Sequence, residues 1–391
     1  MHAYTRGGYT MGPQGGYGGG DHDSLKARQE DKIYYNVVIP YRPDSTGFAP
    51  AIFQQQLNQT ILSRPSDYYM TIVRFSIPTQ NIPIMYGQIQ PYPNIDLNKT
   101  IYSVTLTQGA NSSGQTFIEF VTQNPNAQPS APLTASHPTV DVTSYYYIYE
   151  YTQFLSMINT ALATAFAALP GTPMGSLAPY FIFDGERISL VAQTAYYDQA
   201  LMSPINIYVN YYLLTYLDGI ATNFYGVGLA NGLDAKFLVR NDLNNFYNPP
   251  YLAPAVPPAY YIMTQNYTAL IDWNCFKSLS LVTNLMPVKQ EFIPSSMPNE
   301  GFNLGVVNSR GQLKDFEPIL NNNENRTVVQ YFPTGPYQLI NMNSDEPLTK
   351  IDVNIFWSDQ FGNIYPLDIP FNQLVTIKLL FIKKSSIEAH R

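Results

Sequence analysis

The sequence predicts an all-β protein, an antiparallel β-sandwich with helical and loop insertions. Three observations carry this. Short β-branched and aromatic runs recur along most of the chain between Pro-, Gly- and Asn-rich breaks. Two of the most apolar runs, Ile351–Trp357 and Leu374–Ile382, stand close together near the C-terminus. Helical periodicity is confined to two stretches in the middle.

In Ile351-Asp352-Val353-Asn354-Ile355-Phe356-Trp357 the odd positions are apolar and the even ones mostly polar, the period of a strand with one buried face. Val353, Ile355 and Trp357 share that face, so Trp357 reads as a core aromatic rather than a sugar platform. Leu374–Ile382 is nearly continuous in apolar residues and reads as a strand covered on both faces. Two such strands are unstable alone and require further sheet.

In chain order, residues 1–31 form a Gly- and Tyr-rich arm, too rich in glycine to fold by itself, with Tyr4, Tyr9 and Tyr17 as aromatic anchors. Strands are expected at Ile33–Ile39, Tyr68–Ile77, Ile101–Thr107 and Thr116–Thr122, the last two as a hairpin. Gln54–Leu62 is compatible with a short helix or an extended link. A Pro/Asn/Ser-rich loop covers 123–144.

Phe154, Ile158, Leu162 and Phe166 then recur every fourth residue and predict a helix over 150–169, stopped by Pro170-Gly171. Tyr180–Phe183 and Ile188–Gln193 flank an Asp184-Gly185 turn. Ile205, Val209, Tyr212, Leu213 and Tyr216 predict a second helix, about Ile205–Leu217, ended at Asp218-Gly219. Residues 241–259 are an Asn/Pro-rich excursion. Further strands are expected at Tyr260–Met263, Ser278–Asn284, Lys289–Ile293, Phe302–Val307 and Thr327–Phe332. The division that follows is an arm, 1–31, and one domain, 32–391, with an inserted elaboration at roughly 123–259.

Charged residues are 13% of the 391, about half the roughly 25% usual for a globular domain. Tyr (32) and Phe (21) are abundant. An exterior poor in charge and rich in tyrosine suits faces covered by other subunits, and the runs Tyr145-Tyr146-Tyr147, Tyr211-Tyr212 and Tyr260-Tyr261 are the candidates. A net charge of −7 argues against a nucleic-acid-coating protein. No run of about 18 apolar residues predicts a membrane span, and the first residues carry no secretory h-region.

The sequence offers no catalytic, cofactor-binding or metal constellation. Asp21-His22-Asp23 lies in the flexible arm. His2, His137 and His390 lie at the termini or in a loop. Glu119 and Glu291 are single strand carboxylates. Asp184 and Asp198 are turn residues outside any calcium-loop pattern. Gly226, Gly228 and Gly232 do not have dinucleotide-binding spacing. The single Cys275, beside Trp273 and Phe276, reads as a small core residue.

Asp352, Trp357, Asp359, Gly362-Asn363, Pro366-Leu367 and the Ile377–Lys384 segment resemble the C-terminal signature of the penton, or minor capsid, proteins of virophages and polinton-like viruses. Asp315-Phe316-Glu317-Pro318 and Tyr331–Tyr337 resemble the same family, as does the middle section with Phe154–Asn159–Leu162 and Asn210–Leu213–Leu214. The resemblance implies a single jelly roll with an extended N-terminal arm and no enzymatic activity or cofactor. It implies a homopentamer at icosahedral vertices, touching major capsid protein capsomers and other minor capsid proteins. Such a protein is placed in the virion and assembled without entry to the secretory pathway. Two other classes fit the composition: a compact double jelly-roll major capsid protein, and a host-binding spike or lectin-like sandwich.

Overall fold

A computed structural model describes residues 32–45, 47–90, 99–121, 145–242, 245–250, 259–289, 311–316 and 327–388. Eight strands build the first of two cores. In chain order they are β1 (Lys32–Pro40), β2 (Ile52–Gln56), β3 (Tyr68–Pro78), β4 (Phe276–Thr283), β5 (Gly311–Phe316), β6 (Val328–Tyr331), β7 (Lys350–Asp359) and β8 (Leu374–Lys383). One sheet has the order β1-β8-β3-β6 and the other β5-β4-β7-β2, with every neighbour antiparallel. Successive strands cross from sheet to sheet at every step except the β4–β5 hairpin. That alternation is the double Greek key of a jelly roll.

The inner faces interdigitate. Phe75 and Ile77 of β3 and Val375, Ile377, Leu379 and Phe381 of β8 share one buried cluster with Leu279 and Leu281 of β4 and with Val353, Ile355 and Trp357 of β7. Trp357 therefore sits where its alternation places it, stacked on Tyr365 with ring centroids 4.6 Å apart. The single buried face expected of β7 needs correction. Asp352, Asn354 and Phe356 on its other side are buried too. The turn after β4 folds over that face to place its amides on Asp352. Conversely, β8 is covered on both sides only near its end, at Leu380, Phe381 and Ile382, while Leu374 is exposed.

Between β3 and β4 the chain leaves the roll and builds a second core from Ile84 to Trp273, a wider stretch than 123–259. Its helix, α1 (Tyr151–Ala168), buries Phe154, Leu155, Ile158, Ala161, Leu162 and Ala165 against the Lys99–Gln108, Thr116–Glu119 and Tyr180–Phe183 strands. Lys99–Gln108 pairs with Ile205–Val209 and, as the hairpin expects, with Thr116–Glu119. A four-stranded sheet runs Phe246–Tyr247, Tyr260–Thr264, Ile188–Gln193, Tyr180–Phe183. A helix on these antiparallel sheets is not a second roll, so the described residues contain one jelly roll.

The helix expected over 205–217 is instead a strand, Ile205–Val209, followed by one helical turn, Tyr211–Leu214. Ile205, Ile207 and Val209 are buried while Asn206 and Tyr208 are half-buried, a period of two. The β-branched residues are placed between the Lys99–Gln108 and Ala235–Phe237 strands, and sheet pairing outweighs the coincident fourfold spacing. The Gln54–Leu62 stretch begins extended, as the end of β2. The strands expected at Lys289–Ile293 and Phe302–Val307 lie almost wholly outside the described residues; only Lys289 is described. The arm and the 123–144 loop lie wholly outside them.

A two-stranded ribbon, Met85–Gln88 paired with Tyr145–Ile148, stands between the cores. Its alternation serves both: Tyr86, Tyr145 and Tyr147 pack on the roll. Met85 and Ile148 belong to the second core. Gly87 is required by closeness, since a Cβ there would stand 3.1 Å from Ile148 Cδ1.

Motif residues and a candidate assembly surface

Of the described residues that carry the family resemblance, Asp352, Trp357, Asp359, Leu367, Ile377 and Asn210 are interior while Phe332 and Thr334–Tyr337 are exposed, and several of the interior ones perform the same task. Asp359, 1% exposed, ends β7. Its Oδ1 accepts from the amides of Phe361 (2.9 Å) and Asn363 (2.8 Å). Its Oδ2 accepts from Asn363 Nδ2 (2.9 Å) and the hydroxyls of Tyr86 (3.1 Å) and Tyr365 (3.3 Å). The turn it gathers requires a left-handed residue, supplied by Gly362 at φ 84°. Asp352 accepts from the Thr283 hydroxyl and from the amides of Asn284 (2.7 Å) and Leu285 (3.0 Å). A carboxylate can be kept inside only when its lone pairs are filled in this way.

The two motif asparagines of the middle section work likewise. Asn159 on α1 accepts from Phe181 N (2.7 Å) and donates to Phe181 O (2.9 Å), holding an edge strand to the helix. Asn210 accepts from Leu213 N (3.2 Å) and Ser103 N (3.1 Å) and donates to Ile101 O (2.7 Å). It caps the Tyr211–Leu214 turn while tying it to the neighbouring strand.

Burial raises the phenols of Tyr86, Tyr102 and Tyr216 above their ordinary range, so they remain protonated donors. Tyr102 and Tyr216 are in hydroxyl contact at 3.4 Å, and Trp273 Nε1 donates to Tyr216 O at 2.7 Å. Cys275 is buried, its Sγ 3.3 Å from Pro83 O, as expected of a small core residue.

Among the described residues, none of the carboxylates discussed for chemistry meets a partner that makes a reactive pair. Glu119 is exposed, and Asp184 turns back on the amides of Glu186 and Arg187. Asp198 accepts from Ala200 N and the Tyr261 hydroxyl. His2, His22, His137, His390 and Glu291 lie outside the described residues. Gly226, Gly228 and Gly232 all have positive φ and shape a surface loop; a Cβ at Gly232 would stand 2.9 Å from Ser103 Oγ.

Of the tyrosine runs proposed for subunit contact, two are internal. Tyr146, Tyr260 and Tyr261 are buried, and Tyr145 and Tyr147 pack on the roll. Only Tyr211-Tyr212 is open, and it belongs to a larger aromatic corner at one edge of the second lobe. Tyr212, Phe224 and Tyr225 are 51%, 53% and 52% exposed, with Val227 and Leu229 beside them in the same loop. Tyr211 contacts Tyr212 and Phe224 at centroid distances of 6.2 and 6.1 Å. Asp234, buried beneath, holds both halves by accepting from Tyr211 N (2.9 Å), Gly228 N (3.1 Å) and Leu229 N (2.7 Å). Only the tyrosine pair was singled out in the sequence. The signal for the rest is the absence of any charged residue from Gly219 to Leu233.

A family model described as Sputnik minor capsid protein V18/19 matches residues 33–383. The chain belongs to this family. Structural protein V19 of Sputnik virophage is 41% identical over 208 residues, which are 52% of this chain and 94% of that protein. Sputnik virophage V18, described as uncharacterized, is 49% identical over 162 residues, 41% of this chain and 96% of that protein. A chain in the 3.5 Å cryo-EM structure of the Sputnik virophage superposes with a TM-score of 0.77 at 45% identity, covering 91% of this chain and 99% of its own. The mavirus penton protein shares the fold, with a TM-score of 0.58 at 15% identity over 90% of this chain and 99% of its own.

This minor capsid protein is accordingly a structural component of a virophage-type virion, not an enzyme. Its interior motif fits that role, since the signature fixes turns and joins lobes. Contact with other capsid proteins is left to the surface.

Proposed function

We propose that this minor capsid protein is the penton subunit of its particle. Five copies close around each icosahedral vertex and are flanked by capsomers of the major capsid protein, with other minor capsid proteins as further neighbours. The observation that carries this reading is the strand order β1-β8-β3-β6 facing β5-β4-β7-β2 with a lobe inserted after β3, on a chain that shares its fold with the mavirus penton protein along 90% of its length. A ring of five uses a head-to-tail interface, in which two different faces of each copy meet. The low charge of the chain suits such covered faces. In this reading residues 1–31 are an arm reaching neighbouring capsomers, and residues 32–391 are one jelly-roll domain carrying the insertion.

Native mass spectrometry of the recombinant full chain, together with cryo-EM of particles, tests the proposal. Pentamers, and density for this chain confined to the vertices, are the expected result. A strictly monomeric protein, or density spread over the capsid facets, overturns it.

A further inference from the structure

A ring contact needs a second face, different from the aromatic corner. The second lobe has one. Met174 and Met202 are fully exposed, and Leu177 and Leu201 are exposed beside them in sequence. Both segments flank the Thr194–Tyr197 turn: the Tyr196 hydroxyl donates to Met174 O (2.9 Å) and the Tyr197 hydroxyl to Leu177 O (2.8 Å), while Leu201 N donates to Asp198 O (3.0 Å).

The two faces lie at opposite corners of one sheet. Residues 201–203 precede Ile205, which pairs with Gln108, whereas Tyr211 follows Val209, which pairs with Val104. The Thr222–Phe224 edge strand lies on the far side of Ala235–Phe237 from Ile205–Val209. Both faces are built from stretches poor in charge: no Asp, Glu, Lys or Arg occurs from Pro170 to Phe183, from Gln199 to Leu217 or from Gly219 to Leu233, and Lys236 on the strand between them is turned to Gln199 Oε1 at 3.0 Å.

We propose that the aromatic corner of one copy docks on the methionine corner of the next copy of the same chain, and that this is the head-to-tail contact closing the ring. The inference rests on the self-assembly reading above and names its contact. Four half-exposed aromatics with Val227 and Leu229 offer on the order of 500 Å² of apolar surface. That matches the apolar share, roughly 60%, of the about 800 Å² that each partner contributes to a standard interface. Methionine against aromatic rings is favourable in itself, and flexible thioethers fit an uneven aromatic surface. Two aromatic corners facing each other would make a two-fold contact instead, which closes at two copies.

Cysteine cross-linking separates these arrangements. Tyr212→Cys and Met202→Cys are made as single variants of the full chain; the native Cys275 is buried and does not compete. After mild oxidation, a mixture of the two variants yields a disulfide-linked heterodimer, and either variant alone yields none. A homodimer of Tyr212→Cys alone, or no linked species in the mixture, overturns the inference. A double variant, Phe224→Ser with Val227→Ser, weakens assembly at least ten-fold at an unchanged melting temperature; undiminished assembly also overturns it. Copy number in native mass spectrometry distinguishes the two readings. Rings of another size with the heterodimer present sink the pentamer and leave the contact. Pentamers without the heterodimer do the reverse.

Discussion

The hydroxyl of Tyr86 donates to Asp359 Oδ2 at 3.1 Å, joining residues 273 apart in the chain. Tyr86 belongs to the ribbon that leaves the jelly roll, and Asp359 ends the strand in the middle of the roll. The bond therefore anchors the inserted lobe to the sandwich, and stacking of Tyr86 on Phe361 (centroids 6.1 Å apart) reinforces it. Replacing Tyr86 by Phe leaves four other donors on Asp359 and should cost about 1–2 kcal/mol. Asp359→Ala strips the partner from two backbone amides, the Asn363 side-chain amide and two hydroxyls and should cost about 3–5 kcal/mol. Equilibrium denaturation checks both. Equal losses for the two variants would refute the anchoring role of the carboxylate.

Trp357 is buried in the roll and stacked on Tyr365. Trp357→Ala should cost about 3–5 kcal/mol by cavity formation, and Trp357→Phe distinctly less. A thermal melt unchanged by the alanine variant would contradict the core assignment.

Two aspartates give opposite acid responses. Burial holds Asp368 above its ordinary value near 3.8, against the lowering effect of its bonds to Ala49 N and Asn81 Nδ2. Between that value and its folded pKa the native state binds more protons than the unfolded one. The cost of the buried charge is then present at neutral pH and relieved as pH falls through the folded pKa. Asp184 is held below 3.8, chiefly by its bond from the Arg187 amide. Its contribution is present above 3.8 and lost as pH falls through the folded value. Asp368→Asn should therefore be more stable than the parent protein and Asp184→Asn less stable, each difference being largest at neutral pH and shrinking in acid as the aspartate it replaces becomes protonated. Urea midpoints measured against pH check the two slopes.

Gly228 and Gly232 lie in the same loop with φ of 71° and 66°. A Cβ at Gly228 meets nothing within 4 Å, whereas at Gly232 it would stand 2.9 Å from Ser103 Oγ and 3.0 Å from Gln115 Nε2. Gly228→Ala should cost about 1–2 kcal/mol for backbone conformation alone. Gly232→Ala should cost more, because the Gln115–Ser103 hydrogen bond must also shift. Calorimetric melting of both variants checks the order.

Much of the sandwich was legible because local pattern and burial agree. β1 alternates in sequence as it does in the sheet, and α1 carries a clear fourfold stripe ended by Pro170-Gly171. Reading failed where two periods overlap, as at Ile205–Val209, whose apolar residues satisfy both a helix and a strand until the Lys99–Gln108 partner chooses. It failed again for the tyrosines. A run such as Tyr145-Tyr146-Tyr147 looks the same whether it meets solvent, a neighbour or the chain's own two cores.

The sequence by itself determined the β class, the helix at 151–168, the turn chemistry around Gly362 and the poverty of charge, because each depends on neighbours a few residues away. Tertiary structure alone decided that the insertion leaves between β3 and β4, that Asp352 and Asp359 serve as internal anchors, and which aromatics remain at the surface. Those outcomes depend on contacts between residues distant in sequence, from Asp352 with Asn284, 68 positions apart, to Asp359 with Tyr86, 273 apart. Only closure of the chain into two packed cores brings such residues within hydrogen-bonding distance.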